Sequence, residues 1–205
     1  MIHIVDFGSG NLAAISGMLR RCGVDSVVTS REGEIRTASK LILPGVGAFE
    51  PAMLELGRRG LKEALTYAVI SKKVPVLGIC LGAQLMFDGS EEGNASGLGW
   101  LRGRVVRFQA EKMMGQTKIP HMGWCDVIER HPSTLLHQMD LNPRFYFAHS
   151  YHFECFSASD ILLEAHYGYT FAAAVGRENI LGVQFHPEKS HRFGMKLLSN
   201  FALRF

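Results

Sequence analysis

The sequence predicts an α/β domain: a mostly parallel central sheet flanked by helices, with an additional mixed or antiparallel strand layer in the second half. Three observations carry this. Up to about residue 87, short apolar runs alternate with segments of helical periodicity, the pattern of strand–helix–strand units on a parallel sheet. Beyond residue 100, short strand candidates follow one another with only Gly, Pro, Asn and His between them. The 205 residues carry no linker, low-complexity tract or repeat, and at about 150 residues per domain residues 1–205 read as one domain.

Element by element, residues 2–5 form an apolar strand that ends in the turn Asp6-Phe7-Gly8-Ser9-Gly10. Asn11 is an N-cap, and Leu12, Ile15, Leu19 and Cys22 recur at helical spacing before Gly23 closes the helix. Residues 24–29 are β-branched and predict a second strand; 40–43 predict a third, stopped by Pro44-Gly45-Val46-Gly47. Residues 48–71 are helical, broken once at 57–60. A fourth strand at 74–79 leads into a helical pattern over 81–87. In the second half, 101–108, 126–129, 145–149, 161–167, 171–175 and 180–185 are strand candidates. The last segment places Phe193, Leu197, Leu198, Phe201 and Phe205 on one helical face that docks on the core.

Composition narrows the function classes. Lys and Arg number 22 against 19 Asp and Glu, a formal charge of +3, which gives no basic stripe for nucleic acid. No apolar run approaches the roughly 18 residues of a membrane helix, and Met1-Ile2-His3-Ile4-Val5-Asp6 is charged too early for a signal peptide. Cys22, Cys80, Cys125 and Cys155 form no C-x-x-C pair, so thiols in a reducing cytoplasm are expected, with no metal and no cofactor.

One cysteine sits in unusual company. Gly78-Ile79-Cys80-Leu81-Gly82 has the G-x-nucleophile-x-G form between a predicted strand and a predicted helix. A sharp strand-to-helix turn tolerates no Cβ on its flanks and pushes the thiol out at the carboxyl end of the sheet. The helix N-terminus below it favours the thiolate. The pentapeptide alone fits equally well a buried thiol in a Gly-rich turn. Downstream, the strand Leu181-Gly182-Val183-Gln184-Phe185 runs into His186-Pro187-Glu188. In an extended segment i and i+2 point the same way, and Pro187 is expected to hold that extension. Glu188 would then grip one imidazole nitrogen of His186 and leave the other for a nucleophile, the logic of nucleophile, base and orienter.

Gly78-Ile79-Cys80-Leu81-Gly82-Ala83-Gln84 together with Gly182-Val183-Gln184-Phe185-His186-Pro187-Glu188 resembles the class I (triad-type) glutamine amidotransferases, which have a flavodoxin-like fold. Pro44-Gly45-Val46-Gly47-Ala48-Phe49, Lys118-Ile119-Pro120-His121-Met122-Gly123-Trp124 and Tyr146-Phe147-Ala148-His149-Ser150-Tyr151 resemble the branch of glutaminase subunits that serves imidazole glycerol phosphate synthase in histidine biosynthesis. The resemblance implies Cys80, His186 and Glu188 as the catalytic triad. It implies an oxyanion hole from Leu81 and the Gly45-Val46-Gly47 turn, whose peptide plane can flip. Gly47, Gln84, Glu92, Ser150 and Tyr151 are implied as contacts to L-glutamine. The implied partner is a (β/α)8-barrel cyclase subunit that receives ammonia, with Asn11, Trp124 and Lys189 at its interface.

Some residues depart from the family pattern: Asp6-Phe7-Gly8-Ser9, Ala83 before Gln84, and Cys125 after Trp124. His191-Arg192-Phe193-Gly194-Met195 and the stretch ending in Tyr151-His152 are similar to a paralogous branch that supplies ammonia to sugar-modifying partners in surface-polysaccharide biosynthesis. Other readings find less support. Gly8-x-Gly10-x-x-Ala13 with Glu32 matches a relaxed dinucleotide fingerprint, but such turns are common at βα junctions. Asp6-Phe7-Gly8 lacks the rest of a kinase signature. His149-Ser150-Tyr151-His152 lacks a third spaced metal ligand. Asn94-Ala95-Ser96 has no secretory context. Intact Cys80, His186 and Glu188 speak against a non-enzymatic regulatory scaffold, and a papain-like or other cysteine hydrolase is a further enzyme alternative separated by its substrate, peptide or ester in place of glutamine.

Overall fold

The computed structural model describes residues 1–113 and 118–205. Twelve strands share one sheet system: β1 (Ile2–Val5), β2 (Ser26–Thr29), β3 (Leu41–Gly45), β4 (Val76–Cys80), β5 (Gly89–Ser90), β6 (Gly103–Arg107), β7 (His121–Glu129), β8 (Arg144–His149), β9 (Tyr151–Cys155), β10 (Ile161–Tyr167), β11 (Tyr169–Arg177) and β12 (Ile180–Val183). The helices are α1 (Leu12–Arg21), α2 (Glu32–Thr37), α3 (Phe49–Arg58), α4 (Leu61–Thr66), α5 (Leu81–Gln84) and α6 (His191–Arg204).

The main path runs β2-β1-β3-β4-β12-β11-β10-β7-β8. Pairs from β2 to β12 are parallel and pairs from β12 to β8 antiparallel. β12 is the joint, parallel to β4 on one edge and antiparallel to β11 on the other. β9 branches from β11 and carries β6 and β5. Both expected regions are therefore present, and they form one continuous hydrogen-bonded system.

The parallel strands are buried on both faces. In β3, Leu41 and Leu43 enter the core that holds Phe49, Leu56 and Phe87, whereas Ile42 enters the one that holds Ile15, Phe185 and Phe201. This is the two-residue alternation of a pleated strand between helical layers. α1 is capped by Asn11, whose side chain accepts from the Ala14 N–H at 3.4 Å. α6 buries Phe193, Leu197, Leu198 and Phe201, and its last carbonyls receive the Lys40 ammonium.

Four elements differ from the sequence reading. β7 starts at His121, five residues before the expected strand, because residues 121–126 pair with β8 from His149 back to Arg144. Gly123, at φ 137°, hides this extended segment from a propensity reading. β9 is a separate strand after Ser150, paired to β6. α2 buries only Ile35, too little periodicity to detect. β5 has two residues and pairs only with β6 in named strands.

Candidate active site

The elbow at the end of β4 is built by close backbone approach. Cys80 sits at φ 52°, ψ −113°, a left-handed conformation that costs a side-chain-bearing residue about 1–3 kcal/mol. A Cβ on Gly82 would lie 1.8 Å from the Leu43 carbonyl oxygen, and one on Gly78 would lie 2.6 Å from the Ala83 Cα. Both glycines are therefore required by space. Across the β3–β4 pair, Gly45 stands in register with Cys80, so the Gly45-Val46-Gly47 turn opens beside the thiol. The helix under the thiol is shorter than its sequence pattern: α5 ends at Gln84 and only loose turns continue to Phe87. A single helical turn offers little dipole.

β12 lies next to β4 with Gly182 opposite Gly78 and Val183 opposite Ile79. It delivers His186 to the thiol. The residues after it do not stay extended: Pro187–Lys189 is a 3-10 turn. The expected i, i+2 reach survives through that turn, and His186 Nδ1 meets Glu188 Oε1 at 2.8 Å, both side chains almost fully enclosed. Burial works against the charged imidazole, but hydrogen bonds to Cys80 and Glu188, with the charges of both, outweigh it and raise His186 to about 10. A protonated imidazole beside the sulfur is the companion a thiolate nucleophile needs.

The cavity in front of Cys80 has a volume of about 310 Å³, the size class of a small-ligand pocket. Val46, Gly47, Leu81, Gln84, Glu92, Ser150, Tyr151, His186 and Lys189 all line it. Five residues assigned to substrate from the sequence are thus gathered from four separate segments. Glu92 accepts the Phe49 N–H at 3.0 Å and Gln84 donates to the Tyr151 carbonyl at 3.1 Å, which ties the walls together. The Val46 N–H is bound to Ser9 Oγ at 2.8 Å, and the same hydroxyl donates to the Val46 carbonyl.

The three residues expected at a partner surface are less uniformly placed. Lys189 is exposed at the cavity and lies over the Tyr146 ring, which packs edge-on against Trp124. Trp124 stacks on His191 at 5.5 Å and lines a neighbouring groove with Arg144 and Arg192. Asn11 is exposed at the cap of α1 and does not line the cavity.

Sequence reading left three buried groups without a role. Ser190 accepts the Tyr146 N–H at 2.9 Å and donates to the His186 carbonyl at 2.6 Å, while the His186 N–H bonds the Tyr146 carbonyl. His186 is thereby clamped to β8. Gln184 donates to Cys80 Sγ at 3.7 Å. His121 and His149 form a buried pair, Nδ1 to Nε2, at 3.1 Å. Burial pushes His121 down to about 4, and burial also holds His149 well below its ordinary value despite the Tyr151 carbonyl it contacts. Among the described residues there is no cluster fit to hold a metal ion.

The description "Glutamine amidotransferase class-I" matches residues 3–205. The chain belongs to the class-I glutamine amidotransferase family. It is an enzyme of that type. It is 45% identical over 202 residues to "Imidazole glycerol phosphate synthase subunit HisH" of Leptospira borgpetersenii, covering 98% of this chain and 99% of that one. A relative from Pseudomonas aeruginosa, "Imidazole glycerol phosphate synthase subunit HisH 2", is 45% identical with 98% of each chain covered. Among solved structures, the PurLQS complex of Thermotoga maritima matches with TM-score 0.73 at 17% identity, over 98% of this chain and 96% of that one. The glutaminase domain of Trypanosoma brucei CTPS with bound acivicin matches with TM-score 0.64 at 16% identity, covering 98% and 93%. At those identities the likeness is one of fold. No helix among the described residues is long and apolar enough to cross a membrane.

Proposed function

We propose that residues 1–205 act as one type-1 amidotransferase domain, the glutaminase subunit of imidazole glycerol phosphate synthase, and pass ammonia to a barrel-shaped cyclase subunit in histidine biosynthesis. The observation that carries the reading is the convergence of Cys80, the His186–Glu188 pair and the five substrate contacts on one cavity. In this reading the Cys80 thiolate attacks the carboxamide carbon of glutamine. Imidazolium His186 gives its proton to the departing ammonia and then activates water against the thioester, while Glu188 keeps the ring oriented. The Leu81 N–H and a donor from the Gly45-Val46-Gly47 turn hold the oxyanion. Because Ser9 occupies the Val46 N–H at rest, the turn supplies its donor only after that contact opens. Gly47, Gln84, Glu92, Ser150 and Tyr151 hold the α-amino and α-carboxylate groups. Asn11, Trp124 and Lys189, all exposed, belong to the face toward the cyclase.

The test is Cys80→Ala in the complex. Glutamine-dependent product formation falls about ten-thousand-fold or more, and the cyclase reaction with added ammonium persists. Loss of both, or of neither, refutes the assignment. A second reading, a subunit feeding ammonia to a sugar-modifying partner in surface-polysaccharide biosynthesis, rests on His191-Arg192-Phe193-Gly194-Met195 and the stretch ending in Tyr151-His152, beside the departures at Asp6-Phe7-Gly8-Ser9, Ala83 and Cys125. Co-purification with mass identification of the partner separates the two.

A further inference from the structure

The active-site cavity is backed by a run of buried polar groups whose directions can be worked out from one fixed end. The Tyr151 carbonyl can only accept. The Gln84 atom 3.1 Å from it is therefore the amide nitrogen, Nε2. That nitrogen has a second contact, at 3.1 Å, with the carboxamide of Gln184, so the Gln184 atom there is the acceptor Oε1. The Gln184 NH2 is left facing Cys80 Sγ at 3.7 Å. On the other side, the same Tyr151 carbonyl receives His149 Nδ1 at 2.8 Å, which places the proton of that neutral ring on Nδ1. His149 Nε2 must then accept, and His121 Nδ1 donates to it at 3.1 Å.

Both lone pairs of the Tyr151 carbonyl are thus filled and neither glutamine amide can flip without placing two donors or two acceptors face to face. An unmatched buried polar group costs about 1–3 kcal/mol. Gln184 is fully buried, with its backbone N–H on the Ala173 carbonyl. A buried glutamine with no exit to solvent and one NH2 aimed at a nucleophilic sulfur has a chemical use. An N–H donor stabilises the thiolate over the thiol and holds the sulfur toward the cavity. It also accounts for what a helix of one turn cannot supply.

We infer that Gln184 is a further catalytic residue: its amide N–H donates to the Cys80 sulfur, and the His121–His149–Tyr151–Gln84 chain fixes the direction of that amide. The inference rests on the glutaminase reading for its kinetic consequence, but the sulfur contact itself can be measured without glutamine. The experiment is the pH profile of Cys80 alkylation by iodoacetamide in the full chain. The modified peptide is resolved by mass so that Cys22, Cys125 and Cys155 do not contribute.

In Gln184→Met, which keeps the shape and removes the N–H, the midpoint of the profile rises by about one pH unit, roughly a tenfold loss of reactive thiolate near neutrality. In Gln184→Glu, which keeps the acceptor for Gln84 and adds a negative charge beside the sulfur, it rises further. With glutamine and the partner present, kcat falls in Gln184→Glu, which leaves Gln84 its acceptor, while KM changes less than twofold, as expected of a group that contacts the sulfur and not the substrate's α-carbon end. An unchanged alkylation midpoint in a folded Gln184→Met chain overturns the inference. Should that variant not fold, an unchanged midpoint in Gln184→Glu does the same. A shifted midpoint, with no glutamine hydrolysis by the unsubstituted chain in complex with its partner, upholds the sulfur contact and refutes the glutaminase reading instead.

Discussion

The parallel and antiparallel halves of the sheet solve the problem of burial differently. From β2 to β4 the strands contribute aliphatic side chains and close backbone to the interior: β4 is buried from Val76 to Cys80, and Gly78 and Gly82 are in place because no Cβ fits. From β7 to β11 the interior is aromatic and polar. His121 stacks between Phe147 and Tyr167, with ring centroids 4.8 and 3.9 Å away, and His149 and His152 pack on Phe108. The first half positions Cys80 through backbone geometry; the second positions one wall of the cavity through hydrogen bonds between buried side chains. Apolar burial tolerates small repacking, whereas a buried polar chain functions only when every member is matched.

Three outcomes would break or sharpen this contrast. The largest is expected from Gly82→Ala. Its methyl would sit on the Leu43 carbonyl, an overlap of backbone with backbone that no rotamer relieves, so a loss of more than about 4 kcal/mol is expected. Chemical denaturation of the purified variant checks it. Retention of the wild-type midpoint would show that the elbow is not held by close approach.

Next comes the acid response of the histidine layer. His121 titrates near 4 in the fold and near the ordinary 6.5 in the unfolded chain. Between those values the unfolded chain binds more protons, so stability is fully present above about pH 6.5 and is lost as the pH falls toward 4. Each unit of difference is worth about 1.4 kcal/mol. Urea midpoints measured from pH 7 to 4.5 should fall, and less steeply in His121→Phe. Parallel curves for the two proteins would remove His121 from the account.

The smallest effect distinguishes strain from packing at the nucleophile. Because Cys80 has a left-handed backbone, Cys80→Gly should be more stable than Cys80→Ala by about 1 kcal/mol, the relief of strain exceeding the greater freedom of glycine in the unfolded chain. Thermal unfolding of the two inactive variants gives the difference directly.

The two halves were also unequally legible. The elbow announces itself because its requirements fall on consecutive residues: two glycines flanking one nucleophile between a buried strand and a helix. His186 and Glu188 were readable for the same reason, although the carboxylate arrives through a 3-10 turn and not along an extended strand. Gln184 and Ser190 were written in the same stretch but carried no signal, since a polar residue in a buried segment reads identically whether it meets a solvent channel, the backbone or a sulfur. His121 and His149 are joined only by the register of β7 on β8, where each faces the other. That register depends on a strand start which Gly123 concealed. Local chemistry is visible in order along the chain; pairing across strands is not.

β12 joins the two halves, and this has a bearing on time as well as space. Val76 and Ile180 are neighbours in the sheet while half of the chain lies between them in sequence. Pairings of such long range are slow to close, because chain entropy must be surrendered before the contact rewards it. Cys80 ends one strand of that pairing, and His186 follows the other by three residues. During refolding, local helices and the β10–β11 hairpin can form first and will already change the fluorescence of the aromatic layer. Catalytic competence returns only when the central seam closes, so an activity stopwatch started at dilution from denaturant would time that single event.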